Sequence, residues 1–286
     1  MYFYKNEFVH KQDIQISPDD RGYYFGDGIY EVFRVYNGQI YEGAAHMQRL
    51  ERTASEVRLS LPHTSDEILT ILNKLIGHNN LIEGTVYLQI TRGEAPRAHP
   101  FPTQAVPIVL AYCSEVKRPL ATIQNGINAV TQPDIRWLRC DLKTLNLLPN
   151  VLAKQAALDH GVQEVVLHRE GTVTECSASN LMMVKDQVLY THPANHLILH
   201  GITRAVVLRI AHALQIPVKE ESFTTEQLLQ ADEAFITGTT VEITPILQID
   251  GQSIGSGVPG PTTQKLQAEF ERTFLNQNTP PIQGQP

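Results

Sequence analysis

The chain has no apolar run near the ~20 residues that a membrane-crossing helix needs. Its first residues, MYFYKNEFVH, lack the basic start and apolar core of a secretion signal. Cysteine is scarce: Cys113, Cys140 and Cys176 fit neither a zinc knuckle nor a CxxC pair. A sparse, odd set of thiols suits a reducing compartment, so a cytoplasmic location and no metal site are expected. Positive charge is also short, with 23 Lys and Arg against 30 Asp and Glu and a formal net charge of −7. That balance argues against a nucleic-acid partner, which normally meets a basic patch. It leaves room for a small anionic ligand in a locally positive pocket. No Walker loop is present, and no dinucleotide-type glycine loop is read in the chain.

What is present points to an α+β protein. The 286 residues suffice for one large or two modest domains. YFYKNEFV, DIQIS, GIYEVFRVY and QIYEG read as strands, with Asn37-Gly38 as a hairpin turn. Met47, Leu50, Ala54 and Val57 recur at helical spacing. Thr64 or Ser65 caps a second helix, DEILTILNKLIGHN. TVYLQITRG and AVPIVLAYC return to strand pattern, and CSEVKRPLAT reads as a connector broken by Pro119.

A domain boundary is therefore placed near residue 117, giving a small N-terminal domain (1–117) and a larger C-terminal domain (118–275). The latter opens on a strand and then a helix, LPNVLAKQAALDHG, with Pro149 in its first turn and Gly161 as its stop. Hairpins follow at QEVVLHREGTVTE and NLMMVKDQVLYTHP, then a helix at GITRAVVLRIAHAL and a closing helix at QKLQAEFERTFL. The polar, Pro-rich tail 276–286 reads as disordered. Irregular alternation disfavours Rossmann and TIM arrangements.

Several residues are candidates for chemistry. Lys143, flanked by Leu142, Leu145, Leu147 and Leu148, reads as a lysine in a buried stretch. Burial lowers a lysine's pKa and makes its amine nucleophilic, as Schiff-base chemistry requires. Glu175 at a strand end could hold a pyridine nitrogen protonated. Arg49 on a helix, Gly201-Ile202-Thr203 at a helix start and Gly238-Thr239-Thr240 at a strand break are three places for a phosphate. Arg97 and His99 form a basic pair on a turn-rich loop, suited to a carboxylate. Each has an ordinary alternative as a solvated side chain or a cap.

Taken together, RGYYFGDGIYEVFRVYNG, HMQRL, TRGEAPRAH, DIRWLRCDLKTLNLLPNVLAKQ, TVTECSASN, LHGITR and TTVEITP resemble the class IV aminotransferases, in the family's order from residue 21 to 245. RWLRCDLKTLNLL with PRAH resembles the branch that acts on D-amino acids. The resemblance implies two α+β domains with pyridoxal 5′-phosphate between them, and pyridoxamine 5′-phosphate as its intermediate form. It implies that Lys143 bonds the cofactor and Glu175 meets its ring nitrogen. Arg49, Ile202, Thr203 and Thr239 go to the phosphate, and Leu199 goes to the ring. Asn180 and Arg136 lie near the cofactor. Tyr30, Arg97 and His99 form a carboxylate trap, with Thr240 also on the substrate side. In dimeric relatives Arg97 and His99 come from the neighbouring subunit, so a homodimer is expected.

The expected reaction exchanges an amino group between a D-amino acid, such as D-alanine or D-glutamate, and 2-oxoglutarate or pyruvate, in two half-reactions. An L-branched-chain aminotransferase and an aminodeoxychorismate lyase of the same fold are the alternatives. A non-catalytic cofactor-binding protein is a third reading, disfavoured by Lys143 and Glu175.

Overall fold

A computed structural model describes residues 1–275; the expectation for the tail lies outside the described residues. The chain divides into two compact units, one of Met1–Arg118 with Cys140–Pro149, the other of Pro119–Arg139 with the residues from Asn150 on. The second boundary differs from the sequence reading, which left 140–149 in the C-terminal half. The reason is hydrogen bonding. The Tyr30 amide donates to the Lys143 carbonyl at 3.0 Å and the Leu145 amide to the Gly28 carbonyl at 3.1 Å, so this segment lies along a strand of the first unit.

The first unit is a six-stranded antiparallel sheet. Its strands are β1 (Tyr2–Tyr4), β2 (Glu7–Val9), β3 (Gly28–Tyr36), β4 (Gln39–Ile40), β5 (Gly84–Thr91) and β6 (Ile108–Glu115), in the order β2-β1-β6-β5-β3-β4. Asn37 and Gly38 both take positive φ, the geometry of a tight hairpin turn between β3 and β4. Strict alternation gives the sheet two faces. Ile29, Phe33, Val35, Val86, Leu88, Ile90, Val109 and Ala111 turn inward, onto α2 (Gly43–Glu56) and α3 (Ser65–His78). Thr64 caps α3 in a capping box with Glu67. On the other face a ladder of rings, Tyr2, Tyr112, Tyr87 and Tyr30, crosses the strands at centroid separations of 5.3, 5.1 and 5.8 Å. One expectation fails here: DIQIS is not a strand but begins at the end of a short 3-10 turn, Lys11–Asp13. RGYYF, for which no element was read, forms a short helix, α1 (Arg21–Phe25), capped by Asp20.

The second unit opens on a short helix, α4 (Leu120–Asn125), which starts inside the expected connector and runs past its end. Its sheet is mixed. The strands are β7 (Ile127–Pro133), β8 (Glu164–Arg169), β9 (Thr172–Cys176), β10 (Asn180–Lys185), β11 (Val188–Thr191), β12 (Val218–Lys219), β13 (Glu233–Gly238) and β14 (Glu242–Ile249), ordered β12-β11-β10-β13-β14-β7-β8-β9. A two-residue strand, β15 (Gln252–Ser253), hangs on β14. The helices are α5 (Leu148–Asp159), α6 (Ile202–Ala213), α7 (Thr225–Leu229) and α8 (Pro261–Leu275). Leu181, Met183, Ala234, Ile236, Ile246 and Ile249 line the main core. α6 and α8 pack on each other and on β13. The dinucleotide-type glycine spacing does occur, at Gly255, Gly257 and Gly260 ahead of α8. The amides it would offer are taken, because Thr262 and Thr263 donate to Glu233 at 2.9 and 2.7 Å.

Candidate active site

In the first unit the expected residues gather around β3 and α2. Lys143 is clamped by its backbone. Its carbonyl accepts from Tyr30, its amide reaches the Thr53 hydroxyl at 3.5 Å, and the next residue, Thr144, bridges to Ile29. Its ammonium group stands 4.1 Å from the centroid of the Tyr30 ring, a cation–π contact. Lys143 is half-buried, less enclosed than its leucine flanks imply; Leu148 is 68% exposed. The leucines do not form one buried stripe, because the chain here runs as an irregular segment and then turns into α5.

Arg49 is buried and held by an acid that sequence reading missed. Glu31, on the core-facing side of β3, accepts from Arg49 Nε at 2.7 Å, from Arg49 Nη2 at 2.8 Å and from His46 Nδ1 at 2.8 Å. Burial opposes the charge on Glu31, but Arg49 and His46 outweigh it and hold the carboxyl below the usual range. Burial also lowers the His46 pKa, against the pull of Glu31. A signal was present: His46 and Arg49 sit among Met47 and Leu50 on the buried side of α2, and buried bases need an acid.

Arg97 and His99 are exposed on the loop between β5 and β6. Both approach the Phe25 ring, Arg97 at 5.2 Å and His99 at 5.6 Å. No hydrogen bond or ring contact among the described residues joins either of them to Tyr30.

In the second unit Glu175, Asn180, Leu199 and Arg136 do come together. Glu175 ends β9 and is buried. It forms an ion pair with Arg136, accepts from Asn180 Nδ2 at 2.7 Å, and accepts from the Leu199 amide at 3.1 Å on each oxygen. The Leu199 main chain thus orients this acid. Burial pushes the Glu175 carboxyl up to about 6, against the pull of Arg136. Arg136 is fixed in turn by Asp134, which takes Nε and Nη2 at 2.9 Å each and also accepts from Arg169 and Thr174. Burial opposes ionisation of Asp134, yet Arg136 and Thr174 hold its pKa low.

Ile202 and Thr203 begin α6, ahead of its first internal bond from Ala205 to Gly201. Their amides belong to the helix end that attracts anions. A Cβ at Gly201 would meet the Asn180 Oδ1 at 2.0 Å, so backbone comes close to Asn180 here because the residue is glycine. Among the described residues the buried Thr237 hydroxyl, near the end of β13, has no hydrogen-bond partner. Thr239, half-buried, and Thr240, exposed, form the turn from β13 to β14. Each unit by itself carries donors that suit part of a pyridine phosphate: in the first, the Lys143 amine and the Arg49 guanidinium; in the second, the buried Glu175 acid and the amides that begin α6.

The Amino-transferase class IV family model matches residues 28–249. The chain is similar to the D-alanine aminotransferase of Staphylococcus haemolyticus, 46% identical over 94% of this chain and 96% of the relative. It is also similar to that of Bacillus licheniformis, 42% identical over 96% and 97%. Among solved structures it resembles the branched-chain amino acid aminotransferase of Escherichia coli, with a TM-score of 0.92, 28% identity and coverage of 99% and 97%. The branched-chain aminotransferase of Thermoproteus uzoniensis, solved with norvaline, gives a TM-score of 0.86, 28% identity and coverage of 97% and 95%. A matched model spanning most of the chain, relatives above 40% identity and a shared α+β fold lead to one statement: this chain belongs to the class IV aminotransferases.

Proposed function

We propose that this enzyme transfers amino groups between D-amino acids, such as D-alanine or D-glutamate, and 2-oxo acids, such as 2-oxoglutarate or pyruvate, using pyridoxal 5′-phosphate. The observation that carries the reading is Lys143, whose carbonyl and amide are both bonded and whose amine stands beside an aromatic ring, in a chain whose relatives are named for D-alanine. Identity to those relatives is well above that to the branched-chain enzymes, which keeps the L-branched-chain activity as the second reading.

When bound, the cofactor supplies a carbonyl carbon for amine exchange and a ring that accepts electrons released at Cα. Lys143 Nζ is the amine that holds it covalently. The same amine, when not bonded to the cofactor, is the base that would hold and move the substrate's Cα proton. Glu175, fixed by Asn180 and Leu199, holds a proton on the ring nitrogen. Arg49 and the amides of Ile202 and Thr203, with Thr239, bind the phosphate. Arg97, His99 and Tyr30 bind the substrate carboxylate, with Thr240 beside them, and so orient the Cα–H bond toward Lys143.

Two observations support a homodimer. Among the described residues no hydrogen bond or ring contact joins Tyr30 to the exposed Arg97 or His99, which suits a trap completed by a second copy. The second unit also leaves Ile135, Trp137, Leu138, Val151 and Leu152 exposed, a concentration of large apolar side chains that a partner would cover. The three free cysteines suit work in the cytoplasm.

The test compares Arg97→Leu with the unaltered enzyme on D-alanine, L-leucine and 1-phenylethylamine, an amine without a carboxylate. Loss of a desolvated charge partner costs about 3 kcal/mol, so kcat/KM on D-alanine should fall roughly a hundredfold. The phenylethylamine rate should hold. Greater activity on L-leucine than on D-alanine in the unaltered enzyme would favour the branched-chain reading.

A further inference from the structure

The segment RGYYFGDG, residues 21–28, supplies nothing to the chemistry above, yet it is densely bonded to the loop that carries Arg97 and His99. Arg21 is buried. It donates through Nε to Asp27 at 2.8 Å, through Nη1 to the Ala98 carbonyl at 2.6 Å and through Nη2 to the His99 carbonyl at 3.3 Å. Its amide donates to the Gly93 carbonyl at 3.0 Å, at the start of the same loop. Its guanidinium lies 4.9 Å from the Phe25 ring, the ring that Arg97 and His99 also approach.

Asp27 is shared. Arg92 donates to both of its oxygens, at 3.0 and 2.9 Å, and spends its remaining nitrogens on the carbonyls of Arg58 and Val57. Arg92 also sits 3.8 Å from the centroid of Phe101, just beyond the loop's tip. One acid thus ties together two buried guanidinium groups, and these hold the loop from both flanks. The turn needs its glycines. Gly26 takes a left-handed φ of 63°, and a Cβ at Gly22 would strike the Thr91 side chain at 2.4 Å.

We propose that Arg21 is the positioning residue of the carboxylate-binding loop: its fork to Asp27 and the carbonyls of Ala98 and His99 fixes the backbone that presents Arg97 and His99, and so sets selectivity for amines bearing an α-carboxylate. The inference rests on the reading of Arg97 given above. Between Pro96 and His99 the backbone has no strand partner, and the carbonyls of Ala98 and His99 are anchored by Arg21 alone among the hydrogen bonds described. A planar fork makes all three contacts at once. An ammonium group, a point donor on a flexible stem, keeps the Asp27 pair and loses the carbonyls.

The test uses the cofactor-loaded enzyme and the variants Arg21→Met and Arg21→Lys; the latter retains the charge beside Asp27 if the former does not fold. Hydrogen exchange of residues 94–101 is measured together with kinetics on D-alanine and 1-phenylethylamine. Exchange should quicken about tenfold and KM for D-alanine should rise about tenfold, with kcat falling by less than about threefold and phenylethylamine kcat/KM within about twofold. Unchanged exchange would overturn the grip. Quickened exchange with an unchanged D-alanine KM, or equal losses on both amines, would overturn the link to selectivity. Arg97→Leu is run in parallel: if it harms both amines alike, the reading of Arg97 itself fails, and the exchange data still decide whether Arg21 holds the loop.

Discussion

Lys143 and Tyr30 meet twice: the Tyr30 amide donates to the Lys143 carbonyl at 3.0 Å, and the Lys143 ammonium stands 4.1 Å above the Tyr30 ring. One residue therefore fixes both the root and the tip of the amine. Lys143→Ala should retain cofactor through phosphate contacts but lose the borohydride-reducible protein link, read by mass spectrometry. A reducible link at the unaltered level would refute the assignment.

Glu175 is held by three donors, so its removal tests a charge already in place. Glu175→Gln keeps the shape and loses the charge. Turnover on D-alanine should drop at least about tenfold, a change of about 1.4 kcal/mol, while cofactor affinity weakens far less. A rate within about twofold of the unaltered enzyme would remove Glu175 from the chemistry.

The same carboxyl predicts a pH dependence. Its pKa rises from 4.5 to about 6 on folding, through burial that Arg136 partly offsets. The stability it contributes is fully present below about 4.5 and is lost as pH rises through about 6. On the proposed role of Glu175, cofactor affinity should run the other way, because the ionised form would be the partner of a protonated ring nitrogen. Apoprotein titrated with pyridoxal phosphate between pH 5 and 8 should bind more tightly above a midpoint near 6. Arg136→Met removes the opposing charge and should move that midpoint upward; a downward shift would mean that Arg136 acts elsewhere.

Glu31 makes a stability prediction. Breaking one side of a buried ion pair costs about 3–5 kcal/mol, since it strands the other charge. Glu31→Gln should lower the unfolding free energy of the apoprotein by about that much in urea. Its ionised pair stabilises above the ordinary carboxylate range and is lost only as pH falls through its depressed pKa, so the substituted protein should lack that acid-side loss. Loss below about 0.5 kcal/mol would show the triad to be energetically idle.

The dimer is checked by sedimentation beside activity. The active species should sediment as two chains, and dilution into monomer should abolish D-alanine turnover. Full specific activity in a monomeric sample would contradict the shared trap.

Much of the fold was legible because alternation and capping are local. Asn37-Gly38, Thr64 with Glu67, and Gly161 after α5 each declare a boundary within a few residues. The site was legible as separate candidate residues, and their grouping only through resemblance. Glu175 looks like any strand-end acid until Arg136, Asn180 and Leu199 converge on it from other segments. Glu31 was missed because a glutamate in an alternating strand reads as an outward residue, and its bases lie on α2. Arg21 was hidden for the same reason, its carbonyl partners lying 77 and 78 positions away.

The excursion of Cys140–Pro149 into the first unit has a consequence for recombination. The chain passes between the units at 118/119, 139/140 and 149/150, three seams rather than one. A chimera spliced once, near 118, inherits Lys143 from one parent and the Tyr30 and Thr53 that clamp it from the other. Parents that differ along β3 or α2 would present that amine on a mismatched bed, whereas carrying the ten-residue insert with the first unit keeps lysine and clamp from a single lineage.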